Sequence, residues 1–116
     1  MKVRFISPNE IAAPVILHIC GNTGDRIGMV AQTGLNCFHW DTKTGQPDEV
    51  RALAGPRLAL MGGISNFTLL RGTAEDVAAQ VQAAITGDVD VVGPECAIPL
   101  TTPLANLKSI TAGKNR

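Results

Sequence analysis

Three side chains in this sequence have both the type and the placement to bind a metal together: His18, Cys20 and Cys96. The run Val15-Ile16-Leu17-His18-Ile19-Cys20 has the apolar character of a buried strand. On a strand, residues two apart project from one face, so His18 and Cys20 point the same way from successive pleats. A second apolar run, Val91-Val92-Gly93-Pro94-Glu95-Cys96, places Cys96 where a strand gives way to a loop. An imidazole and two thiolates suit zinc, and three protein ligands instead of four leave one coordination position open for substrate. The plainer reading of each cysteine is a small buried hydrophobe, and a His-x-Cys pair alone does not decide between the two.

Other polar residues fall near the same strand ends. Cys37-Phe38-His39 is a second alternating pair facing the same side as Asp41; lying deeper in its strand, it is expected to fill the interior. His39 reads as a satisfied core histidine or as a hydrogen-bond partner that orients a ligand. Asp41 orients His18, contacts substrate or caps the loop that follows. Asn22 and Thr23 read as helix caps that could also line the pocket, with Asn22 the better candidate for substrate contact. Gly62-Gly63 reads most simply as a tight turn, with close approach of Gly63 to a ligand as the alternative.

The elements that must position these groups alternate strand with helix. After the strand ending at Cys20, a helix is expected over Asn22 to Gly34, with Asp25 in its first turn and Ile27, Val30 and Ala31 on one face. A strand over Leu35 to Trp40 and a short helix from Pro47 to Gly55 follow. Arg57 to Met61 gives the third strand, closed by Gly62-Gly63. The clearest helix runs from Ala74 to Thr86, capped by Thr73 with Asp76 and carrying Val77, Val81 and Ile85 at a spacing of four. Val89 to Val92 is the fourth strand, and a last helix starts at Thr102-Pro103. The alternation predicts an α/β fold of four βα units with parallel strands and functional residues at their C-terminal ends, here Cys20, Asp41, Gly62 and Cys96.

The segments His18 to Thr23 (HICGNT), Gly93 to Pro99 (GPECAIP) and Thr102 to Leu107 (TPLANL) resemble the uroporphyrinogen decarboxylase superfamily. Within it they are most similar to the zinc-dependent corrinoid:thiol methyltransferases such as methylcobalamin:coenzyme M methyltransferases. The resemblance runs from about Val15 to the C-terminus and implies the C-terminal half of a TIM (β/α)8 barrel. It also implies His18, Cys20 and Cys96 as zinc ligands. A methyl-corrinoid on a partner protein would be the methyl donor and a small thiol such as coenzyme M the acceptor. Residues 1–116 are expected to form one such domain, with 1–14 an irregular or shortened lead-in in which Ile6-Ser7-Pro8 opens a helix with Ser7 as N-cap. The same framework also implies a uroporphyrinogen decarboxylase-like protein of porphyrin biosynthesis as an alternative function. A third reading is a non-catalytic remnant or the binding subunit of a split barrel.

Composition narrows the partners. Ten basic and ten acidic residues cancel, and only Phe5, Phe38, Phe67 and Trp40 could stack on bases, so nucleic acid is excluded as an expected partner. Pro8, Asn9, Glu10 and Pro14 interrupt the N-terminal region, leaving neither a signal-peptide core nor a membrane span, and the default address is the cytoplasm. An odd count of three cysteines argues for metal, catalytic or buried thiols and against a disulfide framework. Half a barrel leaves two strand edges and an apolar face uncovered, so a homo-oligomer or a complementing half-barrel chain is expected.

Overall fold

Parallel strands need a crossover between them, and this chain supplies helical crossovers throughout a computed structural model that describes residues 7–113. The strands are β1 (Ile16–Ile19), β2 (Cys37–Trp40), β3 (Ala59–Ile64) and β4 (Val91–Pro94). They form one sheet in the order β1-β2-β3-β4, every neighbouring pair parallel. The helices are α1 (Ile27–Gln32), α2 (Pro47–Ala54), α3 (Asn66–Arg71), α4 (Ala74–Thr86) and α5 (Leu104–Gly113). Short 3-10 turns occupy Pro8–Glu10 and Thr42–Thr44.

The register sorts side chains onto two faces. Ile16 pairs with Cys37, His18 with His39, Cys37 with Ala59, His39 with Met61 and Met61 with Val91, so these residues share one face. Phe38, Trp40 and Leu60 point to the other, where they are wholly buried against Ile27, Val30, Val50 and Ala54 of α1 and α2. A second cluster joins Ile64 and Leu69 to Val77 and Val81 of α4, with Leu107 and Ile110 of α5 packed on it. The first face has no helix layer: Ile16 is 57% exposed and Val91 48%. The half-barrel reading expects this uncovered face.

Several boundaries differ from the sequence reading. The first helix starts at Ile27 instead of Asn22, because the chain first makes a turn in which the Thr23 carbonyl accepts from the Arg26 and Ile27 amides. Asp25 therefore precedes the helix and pairs with Arg26 (2.9 Å), while Asn22 caps only its own turn, accepting from the Gly24 amide (2.9 Å). The 3-10 turn at Pro8–Glu10 has Ser7 as its N-cap, as expected, though it is a single turn; Ile6 lies outside the described residues. Strand β4 sits two residues later than read, and α3 was not anticipated. Its start is nonetheless marked locally, by the Ser65 hydroxyl accepting from the Thr68 amide.

Gly62 and Gly63 are not a tight turn. They lie inside β3 with φ of +130° and +100°, values that side-chain-bearing residues rarely adopt. A Cβ on Gly62 would stand 3.1 Å from the Trp40 carbonyl oxygen, and one on Gly63 2.9 Å from Ala84 Cβ of α4. The two glycines let α4 and the Trp40 ring close onto the sheet. The rim residue after β3 is consequently Ser65, not Gly62.

At the N-terminal end of the sheet, Arg51 gathers the carbonyls of Gly55, Leu58 and Asp88 and the Asp90 carboxylate (2.7 Å). The Leu60 amide donates to the same Asp90 oxygen (2.8 Å). That N–H is the main reason the Asp90 carboxyl lies below its usual value, with Arg51 adding to it against a smaller cost of burial. Among the described residues no helix is long and apolar enough to cross a membrane.

Two stability predictions result. Gly63→Ala should cost about 2–4 kcal/mol in urea unfolding, from overpacking plus backbone strain. Its register partner Gly93, whose added Cβ would meet nothing within 4 Å, should tolerate alanine within about 1 kcal/mol. Because the Asp90 carboxyl is lowered on folding, its contribution is full above the unfolded value and disappears as pH falls through the folded one. Asp90→Asn should therefore lower stability at neutral pH and flatten its decline in acid, as read from urea midpoints across the acid range.

Candidate metal centre

The C-terminal ends of parallel strands converge on one rim, and there the structure assembles the three expected ligands. Cys20 follows β1 directly, and Cys96 lies just beyond β4. His18 Nε2 stands 3.2 Å from Cys20 Sγ, and Cys20 Sγ stands 3.5 Å from Cys96 Sγ. All three donor atoms fall within 4.8 Å of one another, with His18 and Cys20 exposed and Cys96 half-buried. Among the described residues this is the group of imidazole, thiol and carboxylate donors placed to share an ion.

Donor geometry and donor chemistry both fit zinc. Zinc–sulfur and zinc–nitrogen distances of about 2.3 and 2.0 Å in a tetrahedron set donor-to-donor edges at roughly 3.5–3.8 Å. The 3.2 and 3.5 Å separations lie close to these edges, and the remaining one, His18 to Cys96, within 4.8 Å, has up to about 1 Å to close. The Cys20 thiol is pushed up first by its hydrogen bond with Cys96, then by burial and by the negative charge of Cys96 and Asp41. Two thiols this close resist ionising together unless a cation offsets them.

The tautomer of His18 is set by the sheet. Its Nδ1 lies 2.9 Å from the His39 carbonyl oxygen, which can only accept, so Nδ1 carries the proton and Nε2 offers its lone pair toward Cys20. His39 supports the centre twice more. Its ring lies 4.4 Å from the His18 ring, and its Nε2–H donates to the Pro94 carbonyl (2.7 Å) at the end of β4. It is outside the ligand group, as is Cys37, which is buried and whose thiol burial pushes up.

The other sequence candidates divide. Asp41 does not reach His18; it caps the loop after β2, accepting from the Lys43 amide (2.9 Å) and, across the rim, from the Gly21 amide (2.8 Å) beside Cys20. Burial alone would raise the Asp41 carboxyl, but these two N–H groups, the charge of Lys43 and a side-chain hydrogen bond with Glu95 hold it below its ordinary value. Thr23 is buried against Thr44 and does not cap α1. Asn22 lines an open depression with Gly24, Asp25, Arg26, Thr44 and Leu53. Gly63 lines a cavity of about 170 Å³ with Trp40, Thr42, Gln46, Ser65 and Gln80, in the layer between sheet and helices.

Sequence reasoning missed Glu95 and Thr42. The Glu95 carboxylate accepts from the Thr42 amide (2.8 Å) and hydroxyl on one oxygen and from the Asn66 amide (2.8 Å) on the other. Its position next to Cys96 was the available signal, but no spacing rule links Glu95 to Thr42 or Asn66.

A sheet of consecutive parallel βα units in chain order, with an imidazole–dithiol group that could hold a metal at its C-terminal rim, defines a segment of the βα-barrel class. Residues 3–113 match the family model described as uroporphyrinogen decarboxylase (URO-D), and the chain belongs to that family. It is 35% identical over 107 residues to a methylcobamide:CoM methyltransferase MtaA of Methanosarcina barkeri, covering 91% of this chain and 32% of the relative. It is 33% identical over 101 residues to a methylated-thiol–coenzyme M methyltransferase of Methanosarcina mazei, covering 86% and 27%. A solved structure, a methyltransferase from Methanosarcina mazei, superposes with a TM-score of 0.88 at 31% identity over 92% of this chain and 32% of the other. The chain thus spans about a third of the length of the relatives it matches.

The ligand assignment predicts unequal cysteines. Cys96→Ser should weaken zinc binding by at least the roughly 10- to 100-fold that losing a ligand's supporting partner costs. Cys37→Ser should leave zinc binding nearly unchanged. Chelator competition on the two variants, with metal content by elemental analysis, measures the difference; equal losses would refute the assignment.

Proposed function

We propose that this chain carries the thiol-activating centre of a corrinoid-to-thiol methyl transfer, with zinc held by His18, Cys20 and Cys96. The observation that supports it is the convergence of these three donors, among the described residues, at an exposed rim. The activities for which the relatives are named, methyl transfer involving methylcobamide and coenzyme M, agree with this reading. Zinc, when bound, supplies ionisation: it accepts a substrate thiol as its thiolate, the form nucleophilic toward a methyl group.

The chain's own residues prepare that event. His18 presents Nε2 because its other nitrogen is committed to the His39 carbonyl. Cys20 and Cys96 supply two negative ligands, which offset the charge of the cation and leave an incoming sulfur electron-rich. Asp41, buried with its two oxygens on the Lys43 and Gly21 amides, holds the chain beside Cys20 in place. In this reading the acceptor is a small thiol of the coenzyme M type and the donor a methyl-corrinoid carried on a partner protein. The open sheet face bearing Ile16 and Val91 is then closed by further barrel strands, from the same polypeptide, a complementing chain or a second copy.

The openness of the centre is testable without the rest of the barrel. Adding a small thiol to cobalt-substituted protein should add a sulfur ligand and intensify sulfur-to-cobalt charge-transfer absorption. In weakly buffered solution the zinc protein should also release a proton on thiol addition near neutral pH, because the thiol enters ionised. Cys96→Ser serves as the control. No spectral change and no proton at saturating thiol would overturn thiol activation and leave a structural metal site.

A further inference from the structure

We infer that Glu95 is a positioning residue for the metal centre: its carboxylate is a strut that fixes the loop carrying Cys96. The inference rests on the zinc reading above, but concerns a residue that is not itself a ligand.

Cys96 is the donor furthest from its strand, two residues beyond the end of β4, where Cys20 directly follows β1 and His18 lies within it. Nothing in the strand's own ladder holds it. The structure anchors the residues around it in turn. The Pro94 carbonyl accepts from His39 Nε2 (2.7 Å), and the Glu95 amide donates to the Ile64 carbonyl (2.8 Å) at the end of β3. The Ala97 carbonyl accepts from the Asn66 side-chain amide (2.7 Å). Between these, the Glu95 carboxylate reaches back to the Asn66 amide at the start of α3 and across to both donors of Thr42 after β2. Asn66 thereby grips both flanks of Cys96, through its backbone to Glu95 and through its side chain to Ala97.

The carboxylate is spent on these contacts. Its two oxygens take three protein donors between them and the carboxyl also meets that of Asp41, so Glu95 points toward a structural tie between the ends of β2, β3 and β4. Charge-assisted hydrogen bonds to backbone N–H groups are stronger than neutral ones, and they have direction. A metal site depends on such supports, since a ligand displaced by a fraction of an ångström loses much of its bond energy.

The test separates support of the metal from support of the fold. Zinc affinity by chelator competition, and the cobalt charge-transfer spectrum, are measured on wild type, Glu95→Ala and Thr42→Val. Asp90→Asn, at the opposite end of the sheet, is the control for general destabilisation. The strut predicts a roughly 10- to 100-fold loss of zinc affinity in Glu95→Ala and weaker thiolate-to-cobalt absorption per bound cobalt. It predicts a smaller loss in the same direction for Thr42→Val, and none in Asp90→Asn even where its melting temperature falls. If Glu95→Ala does not fold, Thr42→Val carries the same comparison. Unchanged affinity and spectrum in the Glu95 and Thr42 variants, beside a wild type that binds metal, would overturn the strut alone. A wild type that binds no metal would overturn the zinc reading and the strut with it.

Discussion

The hydrogen bond from His18 Nδ1 to the His39 carbonyl links the sheet to the chemistry. His18 and His39 are register partners across β1 and β2, so the carbonyl that fixes the imidazole tautomer is placed by the strand pairing itself. A slip of one residue would turn His18 to the helix-covered face and bring Phe38 or Trp40 to the open one. The burial of Phe38, Trp40 and Leu60 against α1 and α2 opposes that slip. Hydrophobic packing on one side of the sheet therefore decides which nitrogen is free on the other.

The polar side chains at the rim act on neighbouring elements more than on their own. Asp41 ends β2 yet holds the Gly21 amide after β1; His39 in β2 holds the Pro94 carbonyl of β4. The ends of parallel strands have no ladder beyond them, and their loops are fixed only by such cross-links. The result is a rim of defined shape around His18 and Cys20, which are exposed, and Cys96, which is half-buried.

The α/β class, the order of alternation and the shared face of His18 and Cys20 were legible in the sequence because each depends on local periodicity or on residue type, while Cys96 joined the pair through the family resemblance. His18 and Cys20 share a face by the pleat alone, and the Thr73–Asp76 capping box announces α4. The misreadings occurred where tertiary contacts override local preference. Gly62-Gly63 carries a turn signal, but the approach of Ala84 and Trp40 gives the glycines a different use inside β3. Asn22, Thr23 and Asp25 have the composition of a helix start, but Thr23 is drawn into the core beside Thr44 and the helix begins only afterwards. Asn106 is a similar case: a polar residue on the inner side of α5, buried because it donates to the carbonyls of Leu69 and Gly72 at the end of α3. Nothing in its own helix reveals those partners.

Strand order that follows chain order has a consequence for how the molecule assembles. Each strand pairs with the one before it, so β1 meets β2 across a separation of 21 residues, and no pairing has to wait for a distant segment. Such a topology can grow one unit at a time, because loop-closure entropy rises with the length enclosed. The three donors do not share this locality: Cys20 and Cys96 are 76 residues apart and follow the first and last strands. The centre can form only when the sheet is complete, so a bound ion would join its two ends and favour the finished sheet over every partly built one.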